Sequence, residues 1–231
     1  QKNPHLSVMY IENGRLLLLD WQLSNKGILS HKTIRYVHDL DGVVSACYGP
    51  KNTSIFLAAY KDGQTDLFEY TISSGKLEQL TNDPYDENNL CIYNHNSVHG
   101  LLFTSNNSTD TIPNLNRKFS QKSVKENVHF ITANQLETLK LGKSFREGSD
   151  KTILLTLSNR QNVHTLSTDE MGKIYFLTDE NGIQNLYRSS INETGFDTLR
   201  TITNLEYSLS NYVVEKKFIR VGSIINDSIT I

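Results

Sequence analysis

Two cysteines, Cys47 and Cys91, are all that the chain carries; they are too few for a disulfide scaffold and lack the paired spacing of a zinc site. An excess of charge of one sign is missing too. Lys and Arg number 23 against 25 Asp and Glu, for a net charge of -2, and no long basic run occurs. Nothing therefore offers itself to a phosphate backbone, and nucleic acid is not an expected partner. No apolar run approaches the roughly 18 to 20 residues that cross a bilayer as a helix, so membrane insertion by that route is not expected. Tracts with apolar residues at helical spacing are short, and helices should be few. No GxSxG elbow occurs, which removes the hydrolase chemistry that such a strand-turn-helix supports. The chain opens on Gln1 without a signal-peptide pattern, and we expect a processed or excised piece of a longer protein.

What is present is period-two alternation punctuated by Gly, Asn and Asp, the signature of an all-β chain. At 231 residues it is long enough to form one all-β domain with a real core. One stretch organises the rest: Thr65 to Leu90, TDLFEYTISSGKLEQLTNDPYDENNL, is an alternating strand, a Ser-Gly turn, a short strand ending in Leu-Thr-Asn, and a polar loop. The pattern returns from Gln184 to Asn211, QNLYRSSINETGFDTLRTITNLEYSLSN. Superposition pairs Asp62-Gly63 with Asn181-Gly182, Asp66-Leu67-Phe68 with Asn185-Leu186-Tyr187, Leu80-Thr81-Asn82 with Ile202-Thr203-Asn204, and Tyr85 with Tyr207. Asx-Gly provides the positive φ of a tight strand connection. The polar residue before the aromatic strand, Asp66 or Asn185, is placed to bond turn amides.

In chain order, Leu6 to Ile11 and Arg15 to Trp21 form a hairpin across Asn13-Gly14, and Lys32 to Val37 reads as a third strand. Val43 to Tyr48, Ser54 to Tyr60, Thr65 to Ile72 and Lys76 to Thr81 make a four-strand meander of the size of one propeller blade. Leu90 to Tyr93 and Gly100 to Ser105 open the next unit, after which Asn106 to Asn127 is polar and reads as an insertion. Val128 to Thr132, Glu137 to Leu141 and Lys151 to Leu157 are further expected strands, too irregular to divide into blades. A second meander follows through Asn162 to Ser167, Gly172 to Thr178, Asn185 to Ile191 and Thr198 to Thr203, and Asn211 to Val221 reads as a lone strand. The expected fold class is an all-β propeller of four-stranded antiparallel blades, about five at some 40 residues each. It is one domain over 1–231 with an irregular segment around 106–150, and a blade completed from both ends would remove exposed edges.

The repeat, strand, Asx-Gly, Asx-Leu-aromatic, turn, then Leu/Ile-Thr-Asn, resembles the WD40-like repeat of TolB-like β-propellers. It is also similar to the propellers of tricorn and prolyl-oligopeptidase-like peptidases. The copies that carry the resemblance cover Val43 to Asn89 and Asn162 to Asn211; the familiar Ser-Pro-Asp-Gly opening is absent. The resemblance implies a non-enzymatic protein-interaction propeller in a bacterial cell envelope or periplasm, with an envelope protein as partner. A propeller gating a serine peptidase encoded outside this stretch is one alternative, and a carbohydrate-binding propeller is another, because the fold hosts unrelated activities.

Candidate contact residues come from loops between units, where binding is built on a rigid scaffold: Asp39, Asp41, Tyr85, Asp86 and Tyr207. The loop Asp83-Pro84-Tyr85-Asp86-Glu87 has the clustered carboxylates that suit calcium, but its spacing matches no calcium loop, so we expect a solvated connection and no cofactor. His95 and His99, in the turn NHNSVHG, read as a polar hairpin tip in place of a metal site, which needs further ligands. Trp21 is expected in packing. Cys47 and Cys91 open consecutive blades, farther apart than the Cα limit of about 7 Å for a disulfide, and are expected as thiols.

Overall fold

A computed structural model describes residues 5–23, 29–107, 126–140, 153–155, 162–179, 182–192, 195–215, 218–225 and 228–230. The described residues form five antiparallel sheets that follow one another along the chain. Sheet 1 contains β1 (His5–Glu12), β2 (Arg15–Leu23) and β3 (Leu29–Val37). Sheet 2 contains β4 (Gly42–Tyr48), β5 (Ser54–Lys61), β6 (Gln64–Thr71) and β7 (Leu77–Gln79). Sheet 3 contains β8 (Glu87–His95), β9 (Val98–Ser105), β10 (Asn127–Thr132) and β11 (Ile153–Leu155). In sheet 4, β12 (Val163–Thr168), β13 (Lys173–Thr178) and β14 (Asn185–Asn192) are edged by the short β15 (Gly195–Phe196) and β16 (Arg200–Thr201). Sheet 5 contains β17 (Leu209–Val214), β18 (Ile219–Ile225) and β19 (Ser228–Thr230).

The expected all-β class holds and the described residues divide into five sheets, but only sheets 2 and 3 have the expected four strands; sheets 1 and 5 have three and sheet 4 has five. Two of the three Asx-Gly turns named from the sequence are built with positive φ at each residue, 52° and 72° at Asn13-Gly14 and 52° and 84° at Asp62-Gly63; in the third, Gly182 has φ 79° and Asn181 lies outside the described residues. That twist matches the flanking strands.

Apolar clusters lie between successive sheets. Leu16, Leu18 and Val37 of sheet 1 meet Ile55, Leu57, Phe68 and Tyr70 of sheet 2. From the other face of sheet 2, Phe56, Ala58 and Leu67 meet Leu101, Phe103 and Ile131 of sheet 3. Cys91, Tyr93, Leu102, Val128 and Phe130 then meet Val163, Ile174, Phe176 and Tyr187 of sheet 4. Tyr175, Leu177 and Leu186 close the series against Leu209, Tyr212 and Val221 of sheet 5. A sheet covered on both faces needs apolar residues at successive positions, which is why β5 reads SIFLAAYK without alternation. Each fully buried large apolar side chain contributes about 1.5–3 kcal/mol, and no single sheet could bury both faces alone. Tyrosine hydroxyls fasten three of these junctions: Tyr48 donates to Ser7 Oγ at 2.6 Å, Tyr93 to the Gly172 carbonyl at 3.1 Å, and Tyr212 to the Tyr175 carbonyl at 2.6 Å.

Four expectations are corrected. Glu137 to Leu141, read as a strand, belongs instead to a helix, α1 (Ala133–Lys140), as far as Lys140; Leu141 lies outside the described residues. The helix is started by a capping box: Gln135 N donates to Thr132 Oγ1 at 3.3 Å, and Thr132 N donates to Gln135 Oε1 at 2.8 Å. Leu136 and Leu139 then dock on the cluster between sheets 2 and 3. The middle region, expected to resist division, is a regular four-stranded sheet 3, because β9 pairs β10 across the long connection from 106 to 126.

At the end of the chain, the expected lone strand Asn211 to Val221 is a hairpin of β17 and β18, closed where Glu215 N donates to the Phe218 carbonyl at 2.9 Å. No blade is completed from both ends among the described residues: β1 to β3 and β17 to β19 stay in separate sheets. Residues 108–125 and 141–150 of the expected irregular segment lie outside the described residues. No helix among the described residues is long and apolar enough to cross a membrane.

Candidate functional site

The repeat read from the sequence is a hydrogen-bonded node that the chain builds twice. In sheet 2, Leu67 N donates to Thr81 Oγ1 at 2.8 Å, Thr81 Oγ1 lies 3.3 Å from Asp66 Oδ1, and Leu80 N donates to the Leu67 carbonyl at 2.7 Å. In sheet 4, Leu186 N donates to Thr203 Oγ1 at 2.9 Å, Thr203 Oγ1 donates to Asn185 Oδ1 at 2.9 Å, and Ile202 N donates to the Leu186 carbonyl at 2.8 Å. The polar residue fixes the next stretch of chain as well, since the Asp83 amide donates to Asp66 and Leu205 N donates to Asn185 Oδ1 at 2.9 Å. Thr65 and Asp86 are bonded in one copy, and Gln184 and Ser208 at the same places in the other. The loop leading to the next sheet is thus held by the strand it leaves.

The two loops then diverge. After the first node Leu80, Asp83 and Tyr85 are all buried, and Tyr85 N donates to Asp83 Oδ1 at 2.9 Å. After the second, Ile202, Leu205 and Tyr207 stand at the equivalent positions and are exposed, Tyr207 at 57%. A fixed backbone that presents an aromatic ring flanked by two aliphatic side chains is the kind of surface that anchors a protein contact.

Of the five residues expected to make contacts, Asp39, Asp41 and Tyr207 have exposed side chains. Asp39, at φ 67°, and Asp41 lie in the link from β3 to β4, and Asp41 N donates to the Tyr60 carbonyl at 2.8 Å. Tyr85 is 5% exposed, with its ring in the packing. Asp86 is half-buried and bonded, Asn106 Nδ2 donating to its Oδ2 at 2.9 Å and its own amide donating to Asn106 Oδ1 at 3.0 Å. Ile202 and Leu205 were not anticipated. The signal was available in the alignment of the copies, where Leu205 replaces the charged Asp83.

The loop expected to be a solvated acidic connection is in large part interior. Asp66, Asp83 and Glu87 are each no more than 7% exposed. Glu87 already opens β8, and its Oε2 lies 3.2 Å from Thr81 Oγ1. Burial, with the neighbouring Asp83, Asp66 and Asp86 charges, holds the Glu87 carboxyl well above its usual range. Burial also pushes Asp66 up to about 6, against the pull of bonds from Asp83, Thr81 and Gln79. Among the described residues no three His, Cys, Asp or Glu side chains are arranged to hold a metal ion. His95 packs under Gly172, whereas His99 is exposed beside a cavity of about 630 Å³ that Glu69, Leu136 and Lys140 also line. Trp21 is half-buried. Cys47 and Cys91 are free thiols, as expected; burial pushes them up to about 12 and about 11, so neither is a nucleophile at neutral pH.

No family model matches the chain, and no curated protein matches it by sequence. Solved structures do. The fold is similar to that of TolB from Acinetobacter baumannii, at a TM-score of 0.54 and 15% identity over 97% of this chain and 52% of TolB. It is similar to a puromycin hydrolase, at a TM-score of 0.52 and 8% identity over 96% of this chain and 32% of that one. A puromycin-hydrolyzing peptidase of Mycobacterium tuberculosis matches at a TM-score of 0.54 and 9% identity, over 99% and 38% of the two chains. The chain therefore spans about half the length of TolB and about a third of the two hydrolases, and at these identities the likeness is one of fold alone, an all-β propeller architecture.

Proposed function

We propose that the chain is a non-enzymatic, protein-interaction propeller of TolB-like type that works in a bacterial cell envelope and contacts a protein partner through its inter-sheet loops. The observation that carries this reading is the exposed trio Ile202, Leu205 and Tyr207 on a loop locked by Asn185 and Thr203. Exposed Asp39 and Asp41 add polar contact groups on another inter-sheet link. A rigid loop with an aromatic anchor binds with little ordering cost, because its backbone is already fixed. Likeness of fold to the puromycin hydrolases supports a second reading, an accessory propeller beside a peptidase domain.

The test is affinity capture from envelope extracts with the chain and with its Tyr207→Ala and Leu205→Ser variants. A specific protein retained by the parent and lost from both variants supports the loop as the contact. Equal capture by all three removes it.

A further inference from the structure

The face of sheet 4 that turns Tyr175, Leu177 and Leu186 toward sheet 5 also carries a row of cations. Strand alternation puts Lys173 on that face of β13 beside Tyr175, and Arg188 and Ser190 on that face of β14 beside Leu186. Pairing sets Lys173 opposite Ser190, Tyr175 opposite Arg188, and Arg188 opposite Arg200 of β16. Directly opposed residues of antiparallel strands share a face, so two guanidinium groups start from neighbouring backbone positions. Like charges placed in this way destabilise a sheet. Among the described residues none of the three cations is in an ion pair. They come from three separate strands and belong to no basic run, so the sheet's pairing alone brings them together.

Lys173, Arg188 and Arg200 line a cavity of about 350 Å³ together with Ser190, Asp197 and Thr198, and every described side chain on its wall is polar. Arg188 is half-buried and fixed from behind: it donates to the Tyr175 hydroxyl, which itself donates to Asp169 Oδ2 at 3.0 Å. Arg200 is exposed. Lys173 Nζ donates to Ser190 Oγ at 3.4 Å. Asp197 is the one carboxylate among the described wall residues, and it is engaged by neutral donors: Ser190 Oγ donates to its Oδ2, and Asn192 Nδ2 donates to its Oδ1 at 2.7 Å. Three positive charges against one negative leave the described wall with an excess of two positive charges. Two guanidinium forks and an ammonium are the donor set of a tetrahedral oxyanion, since each fork bonds two oxygens at once and the ammonium adds a point charge.

We propose that this cavity binds the phosphate group of a small, soluble, hydroxyl-bearing phosphate ester. Arg188 and Arg200 bracket the phosphate and offset each other's charge through it, Lys173 completes its neutralisation, and Ser190, Thr198 and the remaining lone pairs of Asp197 meet the hydroxyl groups of the ester. Size and lining select this occupant. A volume of about 350 Å³ lies at the small end for ligand sites, and the described wall offers no apolar surface to a lipid tail or to a hydrophobic side chain. Free phosphate carries the same chemistry but leaves Thr198 and Asp197 without a role. The site uses none of the residues of the Tyr207 loop and goes beyond the protein-interaction reading without resting on it.

The probes are glucose 6-phosphate, inorganic phosphate and glucose, each titrated into the full chain to about 10 mM at constant ionic strength and followed by calorimetry and thermal unfolding. Vesicles of phosphatidylcholine and phosphatidic acid in equal parts form a fourth arm. The expected result is that glucose 6-phosphate binds and raises the unfolding temperature, inorganic phosphate binds more weakly, and glucose does not bind. Arg200→Gln should weaken glucose 6-phosphate roughly tenfold or more, with Arg200→Lys in between because an ammonium keeps the charge and loses the fork. Without ligand, Arg200→Gln should unfold at no lower temperature than the parent, since it relieves the like-charged pair. Equal affinity for phosphate and its ester supports the oxyanion site and gives it to free phosphate. Absence of binding by either soluble probe, or binding that Arg200→Gln leaves unchanged, overturns the proposal. So does vesicle binding that Arg200→Gln abolishes when neither soluble probe binds, since the cations then serve a membrane surface.

Discussion

Glu87 and Leu209 hold the same place in two copies of one repeat, each as the first residue of the next sheet's first strand and each buried, at 2% and 1% exposure. One copy therefore seals its junction with a leucine and the other with a carboxyl group. The carboxyl is accommodated by Thr81, whose single hydroxyl hydrogen faces both Asp66 and Glu87 while its oxygen accepts from Leu67 N. The count closes when Glu87 carries a proton and donates to Thr81 Oγ1, leaving the Thr81 hydrogen for Asp66.

Stability should therefore fall as pH rises. Glu87 and Asp66 both have folded-state values raised above their unfolded ones. Their contribution is fully present below the ordinary carboxyl range and is lost as pH climbs through the folded values, for Asp66 about 6. Urea midpoints measured between pH 4 and pH 8 check this. Glu87→Gln, which keeps a donor without a titrating proton, should flatten the decline, and an unchanged slope would show that the acid pair is not its source.

The two node threonines should differ in weight. Thr81→Val leaves the Leu67 amide and a buried carboxyl without their hydroxyl and is expected to cost about 1–3 kcal/mol. Thr203→Val should cost less, because Thr203 is only half-buried and water reaches its partners. Equilibrium unfolding of both variants measures the difference; equal losses would contradict it.

Tyr85 and Tyr207 offer a sharper contrast, since they are the same repeat position in opposite environments. Tyr85→Ala opens a cavity and should cost about 3 kcal/mol or more. Tyr207→Ala should change stability by no more than about 0.5 kcal/mol, as an exposed substitution does, while abolishing partner capture. Calorimetry paired with the capture assay separates the two effects.

Gly100→Ala should be among the most damaging small changes. A Cβ there would lie 2.1 Å from the Ile131 carbonyl oxygen and 2.7 Å from Phe130. Backbone of a paired strand cannot withdraw cheaply, so a cost of about 1–3 kcal/mol or more follows. Thermal unfolding is the check, with a loss under about 0.5 kcal/mol as the contrary outcome.

Much of this was legible in the residue order. Asn13-Gly14, Asp62-Gly63 and the Leu-Thr-Asn segment are local chemistry: positive φ and short-range side-chain bonds depend on neighbours a few positions away. The pairing of Asp66 with Asn185 and Thr81 with Thr203 in the aligned copies became the same hydrogen bonds in space. The helix at Ala133–Lys140 was also written locally, as the Thr132–Gln135 capping box, but a period-two reading of its polar residues passed over that signal.

Sequence alone thus determined the strands, their turns and the repeating node, because alternation, Asx-Gly and Thr-backbone bonding act within one sheet. Which copy of a repeated position is buried was decided only in tertiary structure. Tyr85 and Tyr207, or Glu87 and Leu209, differ through what the adjoining sheet lays against them, and burial is a property of that neighbour.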